Sequence, residues 1–551
     1  MKMKLTDKPS LRPLPPFALF VAALALATAA LPAYAEDIAV PDLESRIKNT
    51  GNAVPDSALP PVKAPSPSVL PVPETTPVPP VTVAPAVAPT EPVPAPAALP
   101  AAEKPPLMSG FLNLGAGSPS ALFGTVSLTR QAGDLPGFGL DFEHTTADGY
   151  GTEKFGTGFF DRKTVLAVRL FDDSVDAKRF ASVTLGDRTD GFQGTSDALS
   201  LTHREVSWSA GLRSLPLPLA DTYASVDFAG SVFSAFADMS GTSASNPAPF
   251  DAYNGYYLSP RLALGYASGS FSAEVFGRYG YETVADAGQL NDGQAGLELK
   301  YIRWGTRMAA DVSAFADSSD GLVAPFHISV SREAADSLLR SVKVSGGLDT
   351  KRVSPWQLSA AEPFAALTDN SVYASDWYGS AALSVSPSPA LSVSGGAEYR
   401  TTAFGRGTLV SYDRLNPVDS RIPLLRVSRE SLATTGALVW TGTGTEVSAR
   451  YSGEWLDRLY RETLHTLDAG ITVFDTGADR IWEAGADSVF ALDSAVLPAV
   501  NLTGTVHPIR KLSLTLALND CLSIVSGKNR TRNGLYLERS GELLLSARID
   551  F

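Results

Sequence analysis

Gly541-Glu-Leu-Leu-Leu-Ser-Ala-Arg-Ile-Asp-Phe551 is the stretch from which the fold is read. Successive side chains of a strand point to opposite faces, so Leu543, Leu545, Ala547, Ile549 and Phe551 share one face. The face is greasy along its whole length and its final residue is aromatic.

The same period of two runs back through the chain. In Lys511 to Asn519, Leu512, Leu514, Leu516 and Leu518 alternate with Ser513, Thr515 and Asn519. Leu391, Val393, Ala397 and Tyr399 alternate with Ser392, Ser394, Glu398 and Arg400, and Val447, Ala449, Tyr451 and Trp455 alternate with Glu446, Ser448, Arg450 and Glu454. Further runs are Ala224 to Phe233, Phe271 to Tyr281, Leu297 to Tyr301 and Leu467 to Phe474. Gly269-Ser270, Asn291-Asp-Gly293, Asp320-Gly321 and Asn533-Gly534 read as turns between them. The repeated unit is a hairpin, which excludes α/β architectures.

The two faces differ in a way that points to lipid. One is almost free of charge over roughly nine residues, near the ~9 to 11 that cross a hydrocarbon layer at a tilt. The other mixes acids and bases, as the wall of a wet lumen does. Tyr399, Tyr451 and Trp455 sit towards strand ends on the apolar face, where an interfacial belt belongs. An open edge in hydrocarbon leaves amides unpaired at several kcal/mol each, so such strands must close on themselves. The expected fold is an all-β, antiparallel transmembrane barrel over residues 107–551. About 445 residues spread over 22 strands gives roughly 20 per strand with its connection, and 16 or 18 strands with longer loops fit nearly as well. Arg278, Glu298, Lys300, Glu398, Arg400, Glu446, Arg450 and Arg548 are the expected lumen-lining charges, setting pore hydration and charge preference as a group.

The chain's ending resembles the signal strand that outer-membrane proteins present to the barrel assembly machinery. On that resemblance Leu543, Leu545, Ile549 and Phe551 are the recognised positions. Arg510-Lys-Leu-Ser-Leu-Thr-Leu-Ala-Leu-Asn-Asp520, then Thr531-Arg-Asn-Gly-Leu-Tyr536 and Leu543 to Phe551, resemble the last strands of TonB-dependent receptor barrels. From Met108 to about Val500 the similarity is of pattern alone. The resemblance implies an outer-membrane barrel that passes small solutes. It also implies a globular plug ahead of the barrel, and for this only Glu36 to Pro106 is available. The expectation is therefore a receptor-like barrel without a plug; Asp37-Ile-Ala-Val-Pro41 is a faint candidate for a TonB-binding segment.

The N-terminal region reads as three pieces. Lys2, Lys4, Lys8 and Arg12 precede an apolar run from Phe17 to Leu31 and the small-residue site Ala33-Tyr34-Ala35, the pattern of a cleaved signal peptide over residues 1–35. Residues 36–51 form a short segment that a periplasmic partner could order. Residues 52–106 are roughly a third proline, which blocks both helix and sheet and leaves an extended spacer of on the order of 150 Å at full stretch. The expected location is the outer membrane, with the N-terminal segment in the periplasm.

Other chemistries find little support. The net charge of −13 disfavours a nucleic-acid partner. The lone cysteine, Cys521, cannot form an internal disulfide. His144, His203, His327, His465 and His507 show no metal-ligand spacing, and no cofactor is expected. His203 with Ser207 is the one nominal nucleophile pair, Asp172-Asp173 reads as a solvated loop tip, and Gly151 to Gly158 lacks the strand-to-helix context of a phosphate loop. The expectation is a non-enzyme. Two alternatives stand beside solute passage: a structural or assembly barrel tied through residues 36–106 to a periplasmic or cell-wall partner, and a surface adhesin, which short polar loops would disfavour.

Overall fold

The computed structural model describes residues 108–551 apart from 133–135, 151–155, 173–177, 195–197, 218, 220, 240–252, 286, 335–337, 362–363, 368–370, 412–421, 457–464, 478–479, 494–496 and 533–535. The signal-peptide residues Ala33 and Ala35, segments 36–51 and 52–106, and the Asn533-Gly534 turn lie outside the described residues.

One antiparallel sheet runs from Met108–Ser118 to Glu542–Asp550 and closes on itself as a barrel of 22 strands. The twelfth strand is in two pieces, Gly321–Val323 and Phe326–Glu333, interrupted at Pro325, which has no amide to give the ladder. Closure joins the first strand to the last, with Leu112 opposite Ile549 and Ser118 opposite Leu543. Beyond the ladder, the Phe551 amide donates to the Gly110 carbonyl at 3.0 Å and the Gly110 amide donates to the Phe551 carbonyl at 3.2 Å. No strand of the barrel sheet is left with an open edge, which is what a hydrocarbon surround demands.

The outer wall carries Leu114, Val206, Leu262, Leu264, Val275, Val312, Ile328, Val344, Leu516 and Leu545, all exposed. Aromatic residues bound this aliphatic band at both ends. Tyr266, Phe271, Trp304, Trp440, Trp482 and Phe551 lie at the end that also holds both chain ends of the barrel. Phe236, Tyr279, Trp377, Tyr399, Phe404 and Trp455 lie at the other. On the ninth strand Phe271 and Tyr279 are eight residues apart, roughly 27 Å along the strand and roughly 20 Å along the axis at a tilt of about 40°. That height matches the apolar band of an outer-membrane barrel.

Connections at the two ends are unequal. At the end shared with Met108 and Phe551, several are two-residue turns: 269–270, 304–305, 389–390, 443–444 and 510–511. At the other end several run long, among them 354–371, 403–429 and 520–541. The expectation of short loops is corrected here. The Asn291-Asp-Gly293 turn is corrected too: these residues lie inside the tenth strand, Gly288–Arg303, with Asn291 opposite Tyr281. The reversal falls at 285–287 instead, before Gly288 at φ 94°. Asp292 stays in the ladder because Gly280 opposite leaves room for it: a Cβ there would lie 1.7 Å from Asp292 Oδ2. Gly269-Ser270 and Asp320-Gly321 do mark reversals, and the alternating runs fall within strands except at their ends, where Trp455, Lys511 and Phe551 lie just outside.

Candidate functional site: the covered mouth of the barrel

Among the described residues, long side-chain reaches cross the mouth at the long-loop end. The thirteenth strand, Leu339–Val353, leads into Ser354-Pro355, where a short helix α1, Pro355–Ala361, begins. Proline suits the first helical position, where its missing amide would be unpaired anyway, and the Leu358 amide donates to the Ser354 carbonyl at 3.1 Å. The helix lies against the far side of the mouth. The Trp356 indole N–H donates to Glu205 Oε2 at 3.2 Å, His203 Nε2 lies 2.8 Å from Ser359 Oγ, and Arg188 donates to the Ala360 carbonyl. Those partners sit on the fifth and sixth strands, seven or more strands round the wall from where the segment departs.

Apolar packing fixes this docking. Trp356 stacks on Phe233 at 5.0 Å between ring centroids, lies parallel to Tyr253 at 6.5 Å, and meets His203 edge-on at 5.1 Å. Phe192, Ala198, Leu201, Ala235 and Val284 complete the cluster, with Phe364 and Leu367 of the same segment packed against it. Burying an aromatic of this size stabilises by about 3 kcal/mol or more. The neighbouring loops join in. Phe364 stacks on Tyr536 at 3.4 Å and 6°, and Ile422 exchanges backbone bonds with Phe364 and Ala366. The Gln193 amide donates to the Leu537 carbonyl at 2.9 Å and accepts from the Leu537 amide at 2.7 Å, imitating a strand partner.

Charge anchors the base of the segment. Glu282 of the ninth strand is almost wholly buried; it accepts from Arg352 Nε at 2.6 Å and from Ser371 Oγ at 2.9 Å. It thus grips both the start and the end of the crossing segment. Asp292 accepts from Arg278 at 3.4 Å and from the Tyr373 hydroxyl. Buried Arg406, from the loop 403–429, donates to Asp317 at 2.7 Å and to the carbonyls of Asp320 and Gly321 at 2.7 Å.

The charges expected from sequence are spread round the wall. On the ninth and tenth strands Arg278 meets Asp292, and Glu298 accepts from Lys300 at 3.3 Å and Arg261 at 3.4 Å. On the fifteenth, Arg400 binds Glu398 and, at 3.1 Å, Asp349. On the seventeenth, Arg450 stands opposite Asp468 and Glu446 opposite Thr472 in the register. On the last, Arg548 donates to Asp550 at 2.9 Å with its guanidinium 3.9 Å from the Phe111 ring. The sequence reading missed Arg213, Asp227, Arg261 and Glu274, which run as a chain of ion pairs into Glu298, and it missed Glu205, Glu282 and Trp356. Only the alternation of charge with apolar residues could have flagged them. His203 faces Ser359; Ser207 is four residues along the same strand, roughly 13 Å away. Among the described residues no group of three His, Cys, Asp or Glu could hold a metal ion.

A closed 22-strand barrel with an apolar exterior between two aromatic belts has the architecture of a large-bore outer-membrane β-barrel. No protein-family model matches the chain, and no curated protein is similar to it in sequence. Solved structures share the fold. A mutant of the ferric enterobactin receptor PfeA from Pseudomonas aeruginosa is 10% identical, with a TM-score of 0.58 over 81% of this chain and 80% of that one. The copper transporter OprC is 12% identical, with a TM-score of 0.59 over the same shares. The FrpB iron transporter from Neisseria meningitidis is 8% identical, with a TM-score of 0.58 over 81% and 82%. At these identities the likeness is one of fold.

Proposed function

We propose that this protein is an outer-membrane passage for small solutes, gated at its long-loop mouth by the segment 354–371. The observation that carries the reading is the docking of that segment on the opposite wall through Trp356, Ser359 and Ala360. A barrel of this strand number encloses a lumen wide enough for water and small molecules unless something fills it. Here the chain's own loops supply the cover, the part that a plug plays in TonB-dependent receptors. The short-turn end faces the periplasm in this reading, as short turns do in outer-membrane barrels, and the long loops face outward. Arg278, Glu298, Lys300, Glu398, Arg400, Glu446, Arg450 and Arg548 line the path and set its charge preference. Leu543, Leu545, Ile549 and Phe551 are the strand face read by the barrel assembly machinery, and residues 36–106 reach a periplasmic or cell-wall partner after cleavage at Ala33-Tyr34-Ala35. The neighbouring structures include a ferric enterobactin receptor and copper and iron transporters, which supports small polar cargo without naming it.

The same cover favours a second reading, a barrel sealed for good that serves as a scaffold held through residues 36–106. Planar bilayers separate the two. Conductance that rises when segment 355–370 is replaced by a short Gly-Ser link supports the gate. A silent barrel in both forms, with a periplasmic cross-link lost on removing residues 36–106, supports the scaffold.

A further inference from the structure

Several lumen-facing arginines are paired with acids: Arg213 with Asp227, Arg261 with Glu274, Arg400 with Asp349. Three arginines on the outside, at the short-turn end, are not. Arg303 ends the tenth strand, Arg332 lies near the end of the twelfth, and Arg340 lies at the start of the thirteenth. None of the three makes an ion pair with a described residue.

Their side of the wall follows from the alternation. Arg332 is in step with the exposed Ile328 and Val330, and Arg303 is in step with Tyr301, whose hydroxyl it approaches at 3.5 Å. Arg340 is the extra residue of a bulge between Leu339 and Ser341, opposite Val385, which is in step with the exposed Leu383. The register brings them together. Arg303 pairs Thr306 and Thr306 pairs Arg332, so two strand spacings, roughly 10 Å, separate the first two backbones. Arg332 pairs Val342, two residues from Arg340. Side chains of arginine length close such gaps.

The surroundings are those of a membrane interface. Trp304 is 82% exposed beside Arg303, whose guanidinium lies 3.9 Å from the indole ring. Met308, Val330 and Val344, on the same outer face by the register, are exposed around it. Guanidinium groups bind phosphate oxygens in pairs, and their stems lie along apolar surface while the heads reach the headgroup layer. We infer that Arg303, Arg332 and Arg340 form a headgroup site for an anionic phospholipid of the leaflet at the short-turn end, with acyl chains against Met308, Val330 and Val344. The inference rests on the barrel spanning a membrane.

The test uses the full chain in phosphatidylcholine vesicles containing either brominated phosphatidylglycerol or the same fraction of brominated phosphatidylcholine. Quenching of Trp304 is read as the difference from the Trp304→Phe variant. Brominated phosphatidylglycerol should quench several-fold more strongly. Combining Arg303→Gln, Arg332→Gln and Arg340→Gln should abolish the preference, each arginine contributing roughly fivefold. Equal quenching by the two lipids in the native chain would overturn the site, as would loss of the preference on adding inorganic phosphate alone, which would show a site for free anions. Heat-modifiable migration is checked in every variant: its absence in the native chain would remove the membrane reading itself, and its presence in the triple variant shows that the barrel still folds.

Discussion

The indole N–H of Trp356 rests on the Glu205 carboxylate at 3.2 Å, although the two residues belong to opposite sides of the barrel mouth. The contact joins a loop leaving the thirteenth strand to the wall of the sixth, and stacked Phe233 and Tyr253 complete the socket. Trp356→Ala removes the stack and the bond together, a loss of about 3–5 kcal/mol if the socket does not collapse. The expected outcome is faster proteolysis of segment 354–371 with unchanged heat-modifiable migration. Protection equal to that of the native chain would show that Trp356 does not hold the cover.

Glu282 holds both ends of the same segment, through Arg352 and Ser371. Removing one partner of a buried pair leaves the other charge uncompensated at about 3–5 kcal/mol. Glu282→Ala should therefore loosen the segment as much as Trp356→Ala does. Hydrogen exchange at Ser371 and Trp356 reads it out: native protection in Glu282→Ala would contradict the anchoring role.

Gly280 and Gly293 offer a matched pair within neighbouring strands. A Cβ at Gly280 would strike the Asp292 carboxylate, whereas one at Gly293 meets nothing within 4 Å. Gly280→Ala should displace Asp292 from Arg278 and Tyr373 and lower thermal stability by about 1–3 kcal/mol. Gly293→Ala should leave the melting temperature nearly unchanged. Equal effects would mean that the space beside Gly280 is not used by Asp292.

Asp520, at φ 48°, immediately precedes a second short helix, α2, Cys521–Ser526, and its carboxylate accepts from Ser523 Oγ and Arg530. Burial works against its charge, but the bonds from Arg530 and Ser523 outweigh it and hold the carboxyl below the usual range. A depressed carboxyl contributes stability that is present above its unfolded value near 3.9 and lost as pH falls through the lower folded value. The loop should keep native exchange rates down to about pH 4 and open below it, and Asp520→Asn should open it already at neutral pH. Native exchange in Asp520→Asn would refute this.

The fold was legible because lipid imposes the same rule across the hydrocarbon band: an outward apolar residue at alternate positions, and closure. Leu512 to Leu518 and Leu543 to Phe551 show it without interruption. Asn291-Asp-Gly293 misled because turn chemistry is local, whereas Asp292 is held in its strand by Gly280 and Tyr373, the latter 81 residues away along the chain. The mouth was illegible for a stronger reason. Trp356 and Glu205 are 151 residues apart, and nothing in the period of either segment says that one will reach the other. His203 drew notice for Ser207, its neighbour in sequence; its partner in space, Ser359, lies on the loop that crosses the lumen.

Single-channel recording in planar bilayers tests the gate most directly. The full chain should show small or infrequent conducting steps, and replacing residues 355–370 by a short Gly-Ser link should give large, frequent ones while heat-modifiable migration is retained. Identical silence from both proteins would contradict the account, because it would mean that segment 354–371 covers no passage.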